Sequence, residues 1–474
     1  MAYSLIWNFT CTYHILFKTG LMSRGGSMSH TKYTAGVSRR ALLKSTVAST
    51  GLLLQVGAST VHAQQTTPRN ILEIPGSEEL IASAMPKSFS MAEIQRRWKK
   101  CREWMQRAGF DALIVPTMPE GNGDIKWLTE GIPDWVVFPL EGKPTAIFRE
   151  GDQDKVFEQF MLGEMEIRTS LLNRSALIID SLRQAGLAEG RIGVGHLAGT
   201  LRYDEGGVSY TTIDRLKTAL PKATFASAAD LLMRVKLARG PEEIEALRLS
   251  TRIGELGIKA SVESAAPGVL QRDVWFRIAQ AYLDASGESP GRITIRAGAE
   301  GNTADGKPLN EVIQAGQILS ETLSASVLGY NCQVNQTICV GRPAPANWES
   351  TFNYNIELFE ALLDWAKPGR TFADYSIFYK QEVDKRMAQF GGKPYTGVVF
   401  HTGGALGDGP RMGWGRHDEN SDLVIEPGMV FTIKPRVPIP GLDTPSTQIG
   451  DGVVITTTGA ERLGRRKLEA ITVG

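Results

Sequence analysis

The chain reads as two consecutive domains, an α/β domain over residues 88–238 and an α+β domain over residues 239–474. Three observations predict this. A composition of 42% hydrophobic and 22% charged residues is that of an ordinary globular chain and excludes disordered, collagen-like and coiled-coil classes. Short apolar runs alternate with amphipathic segments across the first half, the pattern of an α/β layer. In the second half long helical segments are separated by paired β runs, the pattern of helices gathered against mostly antiparallel strands.

The elements follow in order. Ser90-Met91-Ala92-Glu93 has the form of a capping box, and Ile94, Trp98, Cys101, Met105 and Ala108 follow at helical spacing. Strands are expected at Ala112-Leu113-Ile114-Val115, Trp135-Val136-Val137-Phe138, Thr145-Ala146-Ile147-Phe148 and Ile192-Gly193-Val194. Helices are expected around 153–164, 173–186 and 210–219. A long helix opens at Gly240-Pro241-Glu242-Glu243, where proline suits the first helical position and the acids suit the positive end of the helix dipole. After a further helix at 270–286 come a strand at 293–295 and two β segments, 317–326 and 329–341, joined at Leu328-Gly329-Tyr330. Helices at 348–366 and 372–389 lead to strands near 396–401, 428–437 and 446–457. Residues 64–87 read as a linker.

Residues 1–63 carry six basic residues and no acid, so the +1 net charge of the chain hides a body of net charge −5 over 64–474. A weakly acidic body gives no electrostatic reason to bind nucleic acid or an anionic membrane. The first 63 residues are an N-terminal extension in which Ser38-Arg39-Arg40-Ala41-Leu42-Leu43-Lys44 precedes a short apolar stretch and the small-residue site Val61-His62-Ala63. This segment resembles a twin-arginine export signal cleaved near Ala63, which implies a periplasmic protein. The apolar stretch is shorter than the roughly 20 residues a spanning helix needs, so no stable membrane span is expected after cleavage. The three cysteines of the body, Cys101, Cys332 and Cys339, do not form a disulfide framework or a metal-ligand spacing.

Residues 88–468 resemble the pita-bread metallopeptidase family that includes creatinase, prolidase and aminopeptidase P. The resemblance rests on the junction Leu232-Met233-Arg234-Val235-Lys236, on Glu242-Glu243-Ile244-Glu245-Ala246-Leu247-Arg248, and on three landmark segments: Gly329-Tyr330, His401-Thr402-Gly403 and Glu426-Pro427-Gly428-Met429-Val430-Phe431-Thr432-Ile433. It implies a creatinase-like N-terminal α/β domain, a pita-bread catalytic domain and a homodimer.

The five positions that hold two divalent metal ions in metal-dependent members read Thr322, Gln333, Gly404, Lys434 and Gly450 here. None is a carboxylate or an imidazole, which two hard or borderline divalent ions require. Glu321 and Asp451 stand one residue from ligand positions, but a slip of one turns a strand side chain to the other face. No metal and no other cofactor is therefore expected. Creatinase is the family's example of metal-free hydrolysis, and the resemblance implies a metal-independent hydrolase or lyase of a small, polar, carboxylate-bearing compound. His401 matches the family's substrate-side histidine and suits proton transfer, since an unperturbed imidazole titrates near about 6.5. Lys434 suits stabilisation of a developing oxyanion or, when neutral, nucleophilic attack; its other reading is a salt bridge to Asp451 or Glu321. Arg411 offers a planar fork for a substrate carboxylate. Tyr330, Glu321 and Asp451 complete the candidate substrate contacts. Two other readings stand beside the enzyme: a catalytically inactive relative that binds a small ligand or peptide or acts as a scaffold, and a metal-dependent Xaa-Pro peptidase.

Overall fold

The computed structural model describes residues 72–118, 123–151, 163–199, 205–298, 309–390, 400–402, 411–412, 422–439, 441 and 446–474. The export signal with Ala63, most of the helix expected at 153–164, and Gly404 lie outside the described residues.

Helix α1 (Met91–Ala108) begins where the Ser90 hydroxyl accepts the Glu93 N–H, and ends where Gly109 turns left-handed at φ 68°. The capping box is only half made. The Ser90 N–H donates to Glu242 at 2.9 Å, while the Glu93 carboxylate turns to Arg96 and Arg97. Strand β1 (Ala112–Pro116) follows, then α2 (Gly123–Thr129), β2 (Trp135–Pro139), β3 (Thr145–Phe148), β4 (Glu166–Thr169), α3 (Arg174–Gln184), β5 (Arg191–Val194), α4 (Tyr210–Ala219), β6 (Thr224–Ser227) and α5 (Ala229–Val235). These strands form one sheet in the order β4-β3-β2-β1-β5-β6, parallel except where β2 runs against β1 and β3.

Helices α6 (Pro241–Ser264) and α7 (Gln271–Ser286) open the second half, followed by β7 (Arg292–Ala297), β8 (Gln317–Ser324) and β9 (Asn335–Val340). Then come α8 (Trp348–Trp365), α9 (Phe372–Phe390), β10 (Phe400–Thr402), β11 (Arg411–Met412), β12 (Val430–Ile433), β13 (Arg436–Pro438), β14 (Ser446–Ile455), β15 (Ala460–Arg462) and β16 (Ile471–Val473). The sheet runs β11-β10-β12-β14-β9-β8-β7, and β14 also pairs with β13 and β15. All of its pairs are antiparallel except β16 on β9. One apolar core unites α1 (Ile94, Trp98, Met105), α6 (Leu247, Ile253, Ile258), α7 (Val274, Ile278, Tyr282) and β8–β9 (Leu319, Leu323, Ile338), so the two halves share their packing. A second joins α8 (Phe352, Leu358, Leu362) to β12 and β14 (Phe431, Ile433, Ile449, Val453).

The linker expected at 64–87 requires correction from residue 72 onward. Leu72, Ile74 and Leu80 are buried in the shared core, and Arg252 of α6 donates to the Gly76 carbonyl at 2.5 Å. Apolar side chains at 72, 74 and 80 lose contact with water there, which a free linker does not offer.

The junction between the halves is built on Glu243, in the first turn of α6 and fully buried. Its carboxylate accepts from Arg96 at 2.7 Å, the Gly240 N–H at 2.8 Å, the Trp127 indole at 3.1 Å and the Tyr330 hydroxyl at 2.7 Å. Burial by itself would raise its pKa, but Arg97 and Arg239 with these hydrogen bonds hold it down to about 2. Arg97, also buried, bonds Glu93 at 2.9 Å and Glu130 at 2.6 Å.

Candidate active site

Several of the residues singled out in the sequence are spread across the large sheet from its β11 edge to β8. Register places His401 of β10 opposite Arg411 of β11 on one side and opposite Thr432 of β12 on the other. Strand β12 continues into Lys434, whose ammonium donates to Gln333 Oε1 at 2.5 Å. Gln333 lies just before β9, so this bond ties together two positions 101 residues apart in sequence. On the neighbouring strand Thr322 accepts a hydrogen bond from Asn335 Nδ2 at 2.8 Å, and Asn335 pairs with Gly450 of β14. Four of the five family ligand positions (Thr322, Gln333, Lys434, Gly450) thus share this stretch of sheet; the fifth, Gly404, lies outside the described residues.

This donor set does not fit a pair of divalent cations. A protonated lysine has no lone pair to give, the amide oxygen of Gln333 is engaged by that lysine, and Gly450 has no side chain. Among the described residues no group of three or more His, Cys, Asp or Glu is placed to hold a metal ion.

Three expected substrate contacts are corrected by their positions. Tyr330 is fully buried, packs edge-on to Phe89 with ring centroids 5.1 Å apart and gives its hydroxyl to Glu243. It belongs to the domain junction because the β8–β9 turn, closed by the Val327–Tyr330 bridge, lays its ring on Phe89 and brings its hydroxyl to Glu243 of α6. Glu321 turns to α6, where it accepts from the Ser261 hydroxyl, and burial pushes its pKa up to about 8 against the opposing effects of Ser261 and Arg466. Asp451 is held by Arg462 at 2.6 Å and by Arg466 at 3.2 Å. Both carboxyls leave the face carrying Thr322 because neighbouring strand residues point to opposite faces. The contact made by Lys434 with Gln333 differs from the salt bridges to Glu321 or Asp451 that its charge suggested.

Two residues escaped the sequence reading. Arg466, fully buried, binds Glu255 and Asp451 at 3.2 Å each and caps the carbonyls of Gly450 at 2.8 Å and Asn335 at 3.1 Å, fixing β9 and β14 side by side. Nothing local marks it among its neighbours Arg462, Arg465 and Lys467. Asn335 carried a weak signal: it stands two residues after Gln333, the spacing of one strand face.

Comparison with known proteins agrees with this geometry. Residues 97–237 match the Creatinase/Prolidase N-terminal domain and residues 245–457 match Metallopeptidase family M24. The chain is 26% identical over 271 residues to a Xaa-Pro dipeptidase of Pyrococcus furiosus, covering 56% of this chain and 74% of that one. It is 23% identical over 371 residues to a creatinase of a Bacillus species, covering 74% and 85%. A solved Xaa-Pro dipeptidase from Bacillus anthracis superposes with a TM-score of 0.64 at 18% identity, over 80% of this chain and 99% of that one, which speaks to the fold alone. With both of its halves matched in order, the chain belongs to the creatinase/prolidase family and has the pita-bread fold.

Proposed function

We propose that this chain is an exported, metal-independent hydrolase that acts on the C–N bond of a small, carboxylate-bearing compound. The observation that carries the reading is the Lys434–Gln333 hydrogen bond, a fixed cation and an amide at two positions that bind metal in metal-dependent relatives. A fixed ammonium performs part of what a metal does, since it lowers the energy of negative charge developing on a carbonyl oxygen. In the reaction that follows, water adds to the substrate carbonyl carbon while His401 takes its proton. The C–N bond then breaks as His401 returns the proton to the departing nitrogen. Arg411, opposite His401 in register, supplies the fork for the substrate carboxylate. The similarity to a creatinase supports a small polar substrate. The twin-arginine pattern at Arg39-Arg40 supports export, and the family resemblance supports a homodimer whose N-terminal domain helps wall the partner's pocket.

The test is a hydrolysis screen of N-substituted amino acids and amidino or acyl carboxylates, run on the mature dimer with metal content measured by plasma mass spectrometry. Turnover that survives chelation and vanishes in both Lys434→Met and His401→Ala, with melting temperature nearly unchanged, is the expected result. Stoichiometric manganese, zinc, cobalt or iron, with activity lost on chelation and restored by the metal, would overturn it and favour a metal-dependent peptidase. No turnover, with ligand binding retained, would favour an inactive binding relative.

A further inference from the structure

We propose that Asn335 shuts the ancestral metal cavity from within, its amide occupying the space that a ligand side chain at position 450 would need. Asn335 is fully buried, on β9, directly across from Gly450 on β14. Its amide nitrogen donates to the Glu321 carbonyl and to Thr322 Oγ1, both at 2.8 Å. A carbonyl only accepts, so the amide nitrogen must face Glu321 and the amide oxygen must face Gly450. A Cβ built on Gly450 would overlap that oxygen and fall 2.8 Å from both Cβ and Cγ of Asn335. The two backbones cannot part to relieve the overlap, because Arg466 binds the carbonyl oxygens of both residues.

The consequence is a paired substitution. Glycine at 450 is required by the asparagine at 335, for the space its side chain would fill is taken. The amide spans from the first ligand position, Thr322, to the last, Gly450, and presents no charge to a cation there. Restoring a carboxylate at 450 alone therefore rebuilds nothing. The reading is independent of turnover, since it concerns only what the cavity admits.

Two experiments decide it. In the first, Gly450→Ala, Asn335→Ala and the double variant are compared by thermal unfolding of the mature protein. Gly450→Ala is expected to lower the midpoint by about 2–6 °C in the wild-type background and by less than half as much in the Asn335→Ala background, where the amide is gone and only the approach to Cβ remains. An equal cost in both backgrounds, or none in either, would overturn the proposal. In the second, Thr322→Asp, Gln333→Asp, Lys434→Glu and Gly450→Glu are combined, with Asn335 retained or changed to Ala, and Mn2+ is titrated calorimetrically. Binding at least tenfold tighter with Ala at 335 is expected. Equal binding, or none in either background, would place the exclusion elsewhere and overturn the proposal. Should the combined variants fail to fold, the thermal cycle decides alone.

Discussion

Glu321→Gln is a sharp test of how the sheet divides its two faces. Glu321 is 1% exposed, its pKa is pushed up from 4.5 to about 8, and its partner is a neutral hydroxyl on α6. A carboxyl whose folded pKa lies above its unfolded value contributes full stability below the unfolded value and loses it as pH rises toward the folded one. The window is therefore pH 4.5 to about 8. Each unit of pH within it costs the wild type about 1.4 kcal/mol, reaching on the order of 3 kcal/mol at neutral pH and 5 kcal/mol above pH 8. Glutamine keeps the acceptor for Ser261 and has no proton to lose. The difference in melting temperature, variant minus wild type, should rise steadily from pH 5 to pH 8 and level off above it, because all other titrating groups cancel. A flat difference, or one that falls with pH, would refute the placement of Glu321 in an apolar layer behind the site.

Other substitutions probe the frame around the site. Tyr330→Phe removes one donor to the buried Glu243 carboxylate and should cost about 1.5–3 kcal/mol in urea unfolding, with the ring packing on Phe89 retained. Arg466→Met leaves Glu255 and Asp451 facing each other without their shared cation; a loss of about 3–5 kcal/mol is expected, read as a fall in melting temperature that partly recovers at acidic pH as Glu255, whose pKa burial already raises, takes up a proton. Ser90→Ala loses both the helix cap and the hydrogen bond its hydroxyl donates to Glu242, while the backbone N–H bond to Glu242 stays, with about 1 kcal/mol expected and faster amide exchange in the first turn of α1.

Much of this protein was legible in its sequence because the signals are local. The first turn of α1 announces itself through Ser90, the start of α6 through Pro241 and Glu243, and the β8–β9 turn through Gly329, since caps and turns are made by residues a few positions apart. The family resemblance was legible for the same reason, as runs of adjacent residues. Strand alternation also speaks against Glu321 and Asp451 as stand-ins for metal ligands, although it did not keep them out of the candidate substrate contacts. What it did not say was where they go.

Partners at long range were decided by tertiary structure alone. Lys434 has three plausible acceptors by charge and polarity, and only the approach of β12 to the start of β9 selects Gln333. Tyr330 looks like a pocket residue from its neighbours, yet the packing of α1 against α6 draws its hydroxyl to Glu243. Arg466 and Asn335 become meaningful when β9 and β14 lie side by side, because only then does an arginine cap both backbones and an amide fill the space above a glycine. The sequence by itself determined most of the longer elements, the family and the residue types at the ligand positions. Which side chains face one another across 100 residues of chain was set by the burial of apolar strands and helices into a common core, a condition no short window of sequence contains.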